Sequence, residues 1–208
     1  MKEQRKRLAK AVVLLLIAAG FAMSAIYLTM GANLPTDFKD LNERAQYALE
    51  YAHSHGYSEN YALFLDYSIP SGEPRMFVWD FNQGKIVART YAMHGPGKGS
   101  TKRHPVFSDR PGSKCSTLGM FKVTKEHGTK IRRSFRLKGL ERRNKNAYSR
   151  GLMIHPATRV NKYGGKVNYI PLDKTACSGC VSTSSSGMDY IIELVNKEDK
   201  SLLLWNFC

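Results

Sequence analysis

Two segments in the C-terminal third carry the residue types that acyl-transfer chemistry requires. In Thr175-Ala176-Cys177-Ser178-Gly179-Cys180-Val181-Ser182-Thr183, small residues surround two thiols; in Arg150-Gly151-Leu152-Met153-Ile154-His155-Pro156, an apolar strand ends on an imidazole. A strand end delivers a side chain into a cleft. An imidazole beside a thiol can take its proton, turning a group with an ordinary pKa of about 8.5 into a thiolate that attacks a carbonyl carbon. Cys180 is therefore the expected nucleophile and His155 its base. Gly179 permits a tight turn before the thiol, so that the backbone amides around Ser178, Gly179 and Cys180 could face a developing oxyanion.

Taken alone, these residues have rival readings. Cys177 and Cys180 are spaced as a thiol redox pair, and Cys177 could instead enter a disulfide with Cys115, with Cys208 or with Cys180 itself. A thioredoxin-like motif should open a long helix early in a βαβ pattern, whereas this one lies within the last thirty-odd residues of a strand-rich chain. Zinc would need a second ligand pair at matching spacing, and Cys115, His155 and Cys208 do not supply it, so no metal site is expected. The run from Met93 to Thr101 (MHGPGKGST) superficially suggests a phosphate-binding loop, but Gly99 separates Lys98 from Ser100 and no helix follows. His94, at a strand end, is a candidate substrate contact or a satisfied structural histidine.

The elements that must position these residues follow from hydrophobic periodicity. Phe38, Leu41, Ala45, Ala48, Leu49 and Ala52 recur at helical spacing, with Thr36 as a capping candidate and Gly56 as a stop. Strands are expected over 61–69, 75–81, 85–93, 118–124, 130–137, 151–155 and 202–207, with a short helix over 188–195 and a long loop over 94–117. The expected fold class is α+β, mainly β.

The first thirty residues are a separate object. Five bases and one acid precede a stretch from Ala11 to Met30 without a single charge, long enough to cross a bilayer with its basic flank in the cytoplasm. An uncleaved anchor is expected, with a cleavable signal segment as the alternative, and either exports the domain. The organisation is thus 1–31 basic flank and membrane segment, 32–58 linker helix, and 59–208 catalytic domain, facing the periplasm or secreted if the segment is cleaved. The chain carries a formal +15. Ten bases lie between Lys122 and Lys145 against Glu126 and Glu141, a patch that attracts polyanions. For an exported chain, wall polymers and lipid head groups come before nucleic acid, which is not an expected partner.

The succession His94-Gly95, Phe107-Ser108-Asp109, SKCSTLG at 113–119, Gly139-Leu140-Glu141, NKNAYSR at 144–150, Met153-Ile154-His155 and Ser178-Gly179-Cys180 resembles the murein L,D-transpeptidase catalytic-domain-like family of the YkuD-type fold. The resemblance implies a β-sandwich or barrel catalytic domain, His155 as base, Cys180 as nucleophile, and an oxyanion hole at Ser178, Gly179 and Cys180. It places His94, Gly95, Ser116 and Arg150 at the substrate, with Arg150 alternatively a structural ion pair. No cofactor is implied. The substrate would be peptidoglycan stem peptides, cut by transpeptidation or carboxypeptidase action; a thiol redox protein and a non-catalytic wall-binding module are the competing functions. Cys177 stands where the family usually has Ser or Thr, and Val181-Ser182 departs from the usual residues after the nucleophile.

Overall fold

The computed structural model describes residues 40–173 and 179–208. The expected membrane segment, the start of the linker, Cys177 and Ser178 lie outside the described residues. Among those described, no helix is long and apolar enough to cross a membrane.

The first described helix, α1 (Leu41–His55), begins four residues later than the Thr36 cap anticipates, because Asp40 does the capping: its carboxylate accepts from the amides of Asn42 (2.8 Å) and Glu43 (3.0 Å). It stops where expected, at Gly56, which takes the left-handed conformation (φ 72°) and returns its amide to the Ala52 carbonyl. Strands β1 (Tyr61–Asp66), β2 (Met76–Asp80) and β3 (Lys85–Thr90) form an antiparallel meander, followed after one residue by the short β4 (Ala92–Met93). Beyond the long loop come β5 (Gly119–Val123), β6 (Phe135–Gly139), a 3-10 turn (Arg142–Asn144), β7 (Met153–Pro156), α2 (Thr158–Tyr163), β8 (Val181–Thr183), α3 (Ser185–Lys197) and β9 (Leu203–Phe207).

The nine strands join in the order β3-β2-β1-β9-β5-β6-β7-β8-β4. Since β3 and β4 lie at opposite ends of that order yet only Tyr91 separates them in sequence, the sheet must curl until its ends meet. Side chains close the seam. Thr90 Oγ1 bonds Ser184 Oγ (2.7 Å) and Thr183 Oγ1 (3.2 Å), and Thr183 Oγ1 donates to the Tyr91 carbonyl (2.9 Å). The result is a mainly β, barrel-like sheet with a few helices.

Period-two alternation divides the apolar residues between the two faces of the sheet. Ala62, Phe64, Phe77, Trp79, Met120, Leu203 and Trp205 pack with Ala45, Ala48 and Ala52 of α1. The small alanines let the helix approach closely, and Arg44 stacks over Phe207, 4.1 Å from its ring centre. Leu63, Leu65, Phe121, Val123, Leu137, Ile154 and Val181 form the other core with Met188, Ile191, Leu194 and Val195 of α3, and Cys180 belongs to this cluster. Each large side chain so buried contributes roughly 1.5–3 kcal/mol.

Two expectations need correction. Residues 130–134 are not strand: Ser134 bonds the Ile131 carbonyl and accepts from the Gly128 amide (2.9 Å), holding a local turn that competes with ladder pairing, so β6 starts at Phe135. The elements α2 and β8 were not anticipated, being short and poor in large apolar residues.

Candidate active site

The segment 144–150 winds from the 3-10 turn through successive turns, with Arg150 N bonding the Asn146 carbonyl and Gly151 N the Tyr148 carbonyl, and ends at Gly151 (φ 70°). The winding turns Arg150 inward and launches β7. Strand β7 then pairs in parallel with β8, matching Ile154 to Val181, His155 to Ser182 and Pro156 to Thr183. Cys180 immediately precedes β8, so the thiol lies two residues from the residue that neighbours His155. The register therefore brings together two residues twenty-five positions apart in sequence.

Both groups are nearly enclosed, Cys180 being 4% and His155 5% exposed. Ring nitrogen Nδ1 of His155 lies 2.9 Å from the Pro156 carbonyl. A carbonyl only accepts, so Nδ1 carries the proton and Nε2 is the basic nitrogen. Nε2 faces Ser182 Oγ at 3.4 Å. The Cys180 sulfur lies 4.0 Å from the Gly151 carbonyl oxygen, a long thiol contact.

Behind the thiol, backbone is packed too tightly for side chains. Gly179 holds φ 100°, and a Cβ there would sit 2.1 Å from the Cys115 carbonyl oxygen and 3.0 Å from Arg150 Nη2. A Cβ on Gly95 would lie 2.8 Å from Gly179 Cα, and the Gly95 amide donates to Ser116 Oγ at 2.9 Å. Gly95, Ser116 and Gly179 thus form one wall.

Arg150 locks that wall. Its side chain is 3% exposed and donates to the carbonyls of Ser108 (2.8 Å) and Cys115 (2.8 Å), to Thr117 Oγ1 (2.6 Å) and to Ser113 Oγ (3.3 Å), with Asp109 Oδ1 at 3.4 Å. Asp109 in turn accepts from the Asn146 amide (2.8 Å). Of the two readings of Arg150, the structural ion pair describes the observed geometry, because these partners occupy the guanidinium that a stem carboxylate would need.

The His94 ring is held by partners within the chain. It is buried, its Nε2 donates to the Thr101 carbonyl (2.8 Å), and its Nδ1 accepts from Arg75 Nη2 (3.3 Å). Burial pushes the ring down to about 4, with the nearby Arg75 cation adding to the effect and the bond to Thr101 opposing it. A neutral ring with both nitrogens engaged braces the start of the loop. Other motif residues are structural too. Glu141 accepts from the Met120 amide and from Arg143 Nε (2.6 Å), and Asn144 Nδ2 donates to the Met120 carbonyl (2.9 Å), tying the turn to β5.

The structure therefore brings together Cys180, Gly179, Gly95, Ser116 and Arg150, sets His155 on β7 against Ser182 of β8, and holds the His94 ring between Arg75 and Thr101. Ser178 lies outside the described residues. Sequence reasoning overlooked Ser182, Gly151, Asp109, Thr117 and Cys115 at the site. Ser182 was within reach, because alternation from Cys180 puts residue 182 on the same side of an extended segment. No cluster of His, Cys, Asp or Glu that could hold a metal occurs among the described residues, and none of Cys115, Cys180 and Cys208 is joined to another by a disulfide.

Solved structures with distant likeness include the L,D-transpeptidase of Xylanimonas cellulosilytica DSM 15894, 14% identical with a TM-score of 0.39, covering 76% of this chain and 68% of that one. Another is the helical cell shape determining protein Pgp2 of Campylobacter jejuni, 12% identical with a TM-score of 0.40. The match covers 79% of this chain but about half, 55%, of that protein. No curated protein gives a significant match. The sequence model for the L,D-transpeptidase catalytic domain matches residues 35–205. On that match over most of its length, the chain belongs to the L,D-transpeptidase catalytic-domain family.

Proposed function

We propose that this chain is a cysteine acyl-transfer enzyme that remodels peptidoglycan stem peptides, with Cys180 as nucleophile and His155 as base. The observation that carries the reading is the parallel β7–β8 register, together with the Nδ1 bond to Pro156 that leaves Nε2 of His155 basic. Nε2 takes the thiol proton, and the thiolate sulfur forms a bond to the carbonyl carbon of the amide between the L-centre of a diamino acid and a terminal D-residue. The oxyanion that develops is held by backbone amides around Gly179 and Cys180, with Ser178 contributing by the family resemblance, an interaction worth several kcal/mol in enzymes of this type. As the intermediate collapses, the C–N bond breaks, the imidazolium returns its proton to the departing amine, and a thioester remains. An acceptor amine then gives a cross-link, or water a trimmed peptide, and either regenerates the thiol.

Gly95, Ser116 and Arg150 serve as the wall that fixes the Gly179 turn. The domain works outside the cytoplasm, held at the membrane by residues 11–30. Incubating the protein with muropeptides and reading products by mass spectrometry tests the reading. Loss of the terminal D-residue, abolished in Cys180→Ala and in His155→Gln, supports it. Unchanged muropeptides together with reductant-dependent insulin reduction would overturn it in favour of the thiol redox function.

A further inference from the structure

On the α1-facing side of the sheet, opposite the core that Cys180 joins, Lys122, Lys125, Lys138 and Lys145 line a groove of about 580 Å³ with Thr124, Glu126, Gly139, Tyr148 and Ser201. Lys122 and Lys138 are direct cross-strand partners in the antiparallel β5–β6 pair. Like charges placed opposite one another destabilise a sheet, typically by several tenths of a kcal/mol. Among the described residues Lys122, Lys138 and Lys145 form no ion pair that would offset the repulsion. The one acid in the groove, Glu126, is already engaged by the Tyr148 hydroxyl (2.6 Å) and by Arg136 (3.8 Å). Lys125 is fixed at the rim by donating to the Glu198 carbonyl (2.9 Å).

We infer that this groove binds an extended anionic glycopolymer of the wall, at a site separate from the acyl-transfer centre. The chemistry favours that occupant over single-stranded nucleic acid. Base-binding grooves present open aromatic faces for stacking, whereas the guanidinium of Arg136 covers the Tyr148 ring at 3.8 Å. The groove is lined by lysines and no arginine, and lysines act as point charges that follow a flexible polyanion without a fixed fork geometry. A polymer lying across β5 and β6 would neutralise the opposed lysines and keep the enzyme on its substrate. The wall as source rests on the proposed function; binding of a polyanion does not.

The test uses the full-length chain in neutral detergent in a Cys180→Ala background, so that failure of the acyl-transfer reading leaves it intact. Binding is measured across a salt series to poly(glycerol phosphate), polygalacturonate, neutral dextran and a single-stranded DNA 30-mer. One or both anionic polymers should bind, dextran should not, and the two polymers separate phosphodiester from carboxylate recognition. Lys122→Gln/Lys138→Gln should weaken binding by about tenfold or more and reduce the slope of log K against log salt by about two. Lys145→Gln alone should show a smaller loss in the same direction, and Lys85→Gln/Lys197→Gln, with the same net charge, should show little. Equal losses from both double variants, dextran binding as well as the polyanions, or DNA binding tighter than either polymer with the same lysine dependence would each overturn the inference.

Discussion

Arg150 and the Lys122–Lys138 pair are both cationic, yet they sit in opposite situations. Arg150 is enclosed, and the chain itself supplies its acceptors: two carbonyls, two hydroxyls and a carboxylate. The lysines face each other across two strands without an acid between them. A buried cation must be satisfied internally or it costs several kcal/mol, so such a residue fixes its surroundings. A surface cation left opposite a like charge adds nothing to the fold, which leaves its position open to a partner. The difference separates the residues that build the site from those that meet a partner.

Substitutions should obey the same division, and the largest effect belongs to Arg150. Arg150→Ala strands Asp109 and the carbonyls of Ser108 and Cys115, so thermal or denaturant unfolding should show a loss of about 3–5 kcal/mol, along with activity. An Arg150→Ala protein with near-native stability would erase the comparison. Next is His94. An unfolded chain protonates this ring below about 6.5, while the folded ring, pushed down to about 4, stays neutral. Between those values the unfolded state binds more protons, so stability falls as pH drops through the window, by up to about 3 kcal/mol at its lower end. Melting curves from pH 7 to 4 should show the decline, flattened in His94→Gln.

Gly179→Ala comes third. The positive φ and the 2.1 Å approach to the Cys115 carbonyl should cost about 1–3 kcal/mol and depress kcat beyond that, because the turn holding the thiol must shift. Wild-type kcat in this variant would show that the turn does not position the nucleophile. Smallest of all, Lys122→Gln should change stability by less than about 0.5 kcal/mol at low salt, and in the stabilising direction.

Much of the fold could be read from the chain because strong periodicity marks its longest elements. The alanine stripe of α1, the meander of β1 to β3 and the final strand were all visible from apolar spacing. The residues proposed as nucleophile and base stand out in the sequence too, from a Gly-Cys pair and a strand ending on histidine. Three-residue β8 was not, since Val181-Ser182-Thr183 has no apolar run, and with it the parallel pairing that sets His155 against Ser182, two residues from Cys180, was hidden. Arg150 shows another limit. A lone arginine in a motif reads equally as ligand or brace, and only the loop carbonyls gathered around it decide. The opposed lysines depend on strand register, which spacing within one strand does not reveal.

The most direct test of the proposed chemistry is to trap the acyl-enzyme. After rapid acid quench with a muropeptide, intact-protein mass spectrometry and peptide mapping should find a thioester adduct on Cys180, absent in Cys180→Ala and slow to form in His155→Gln. Turnover that persists in Cys180→Ala, or an adduct on another residue, would contradict it.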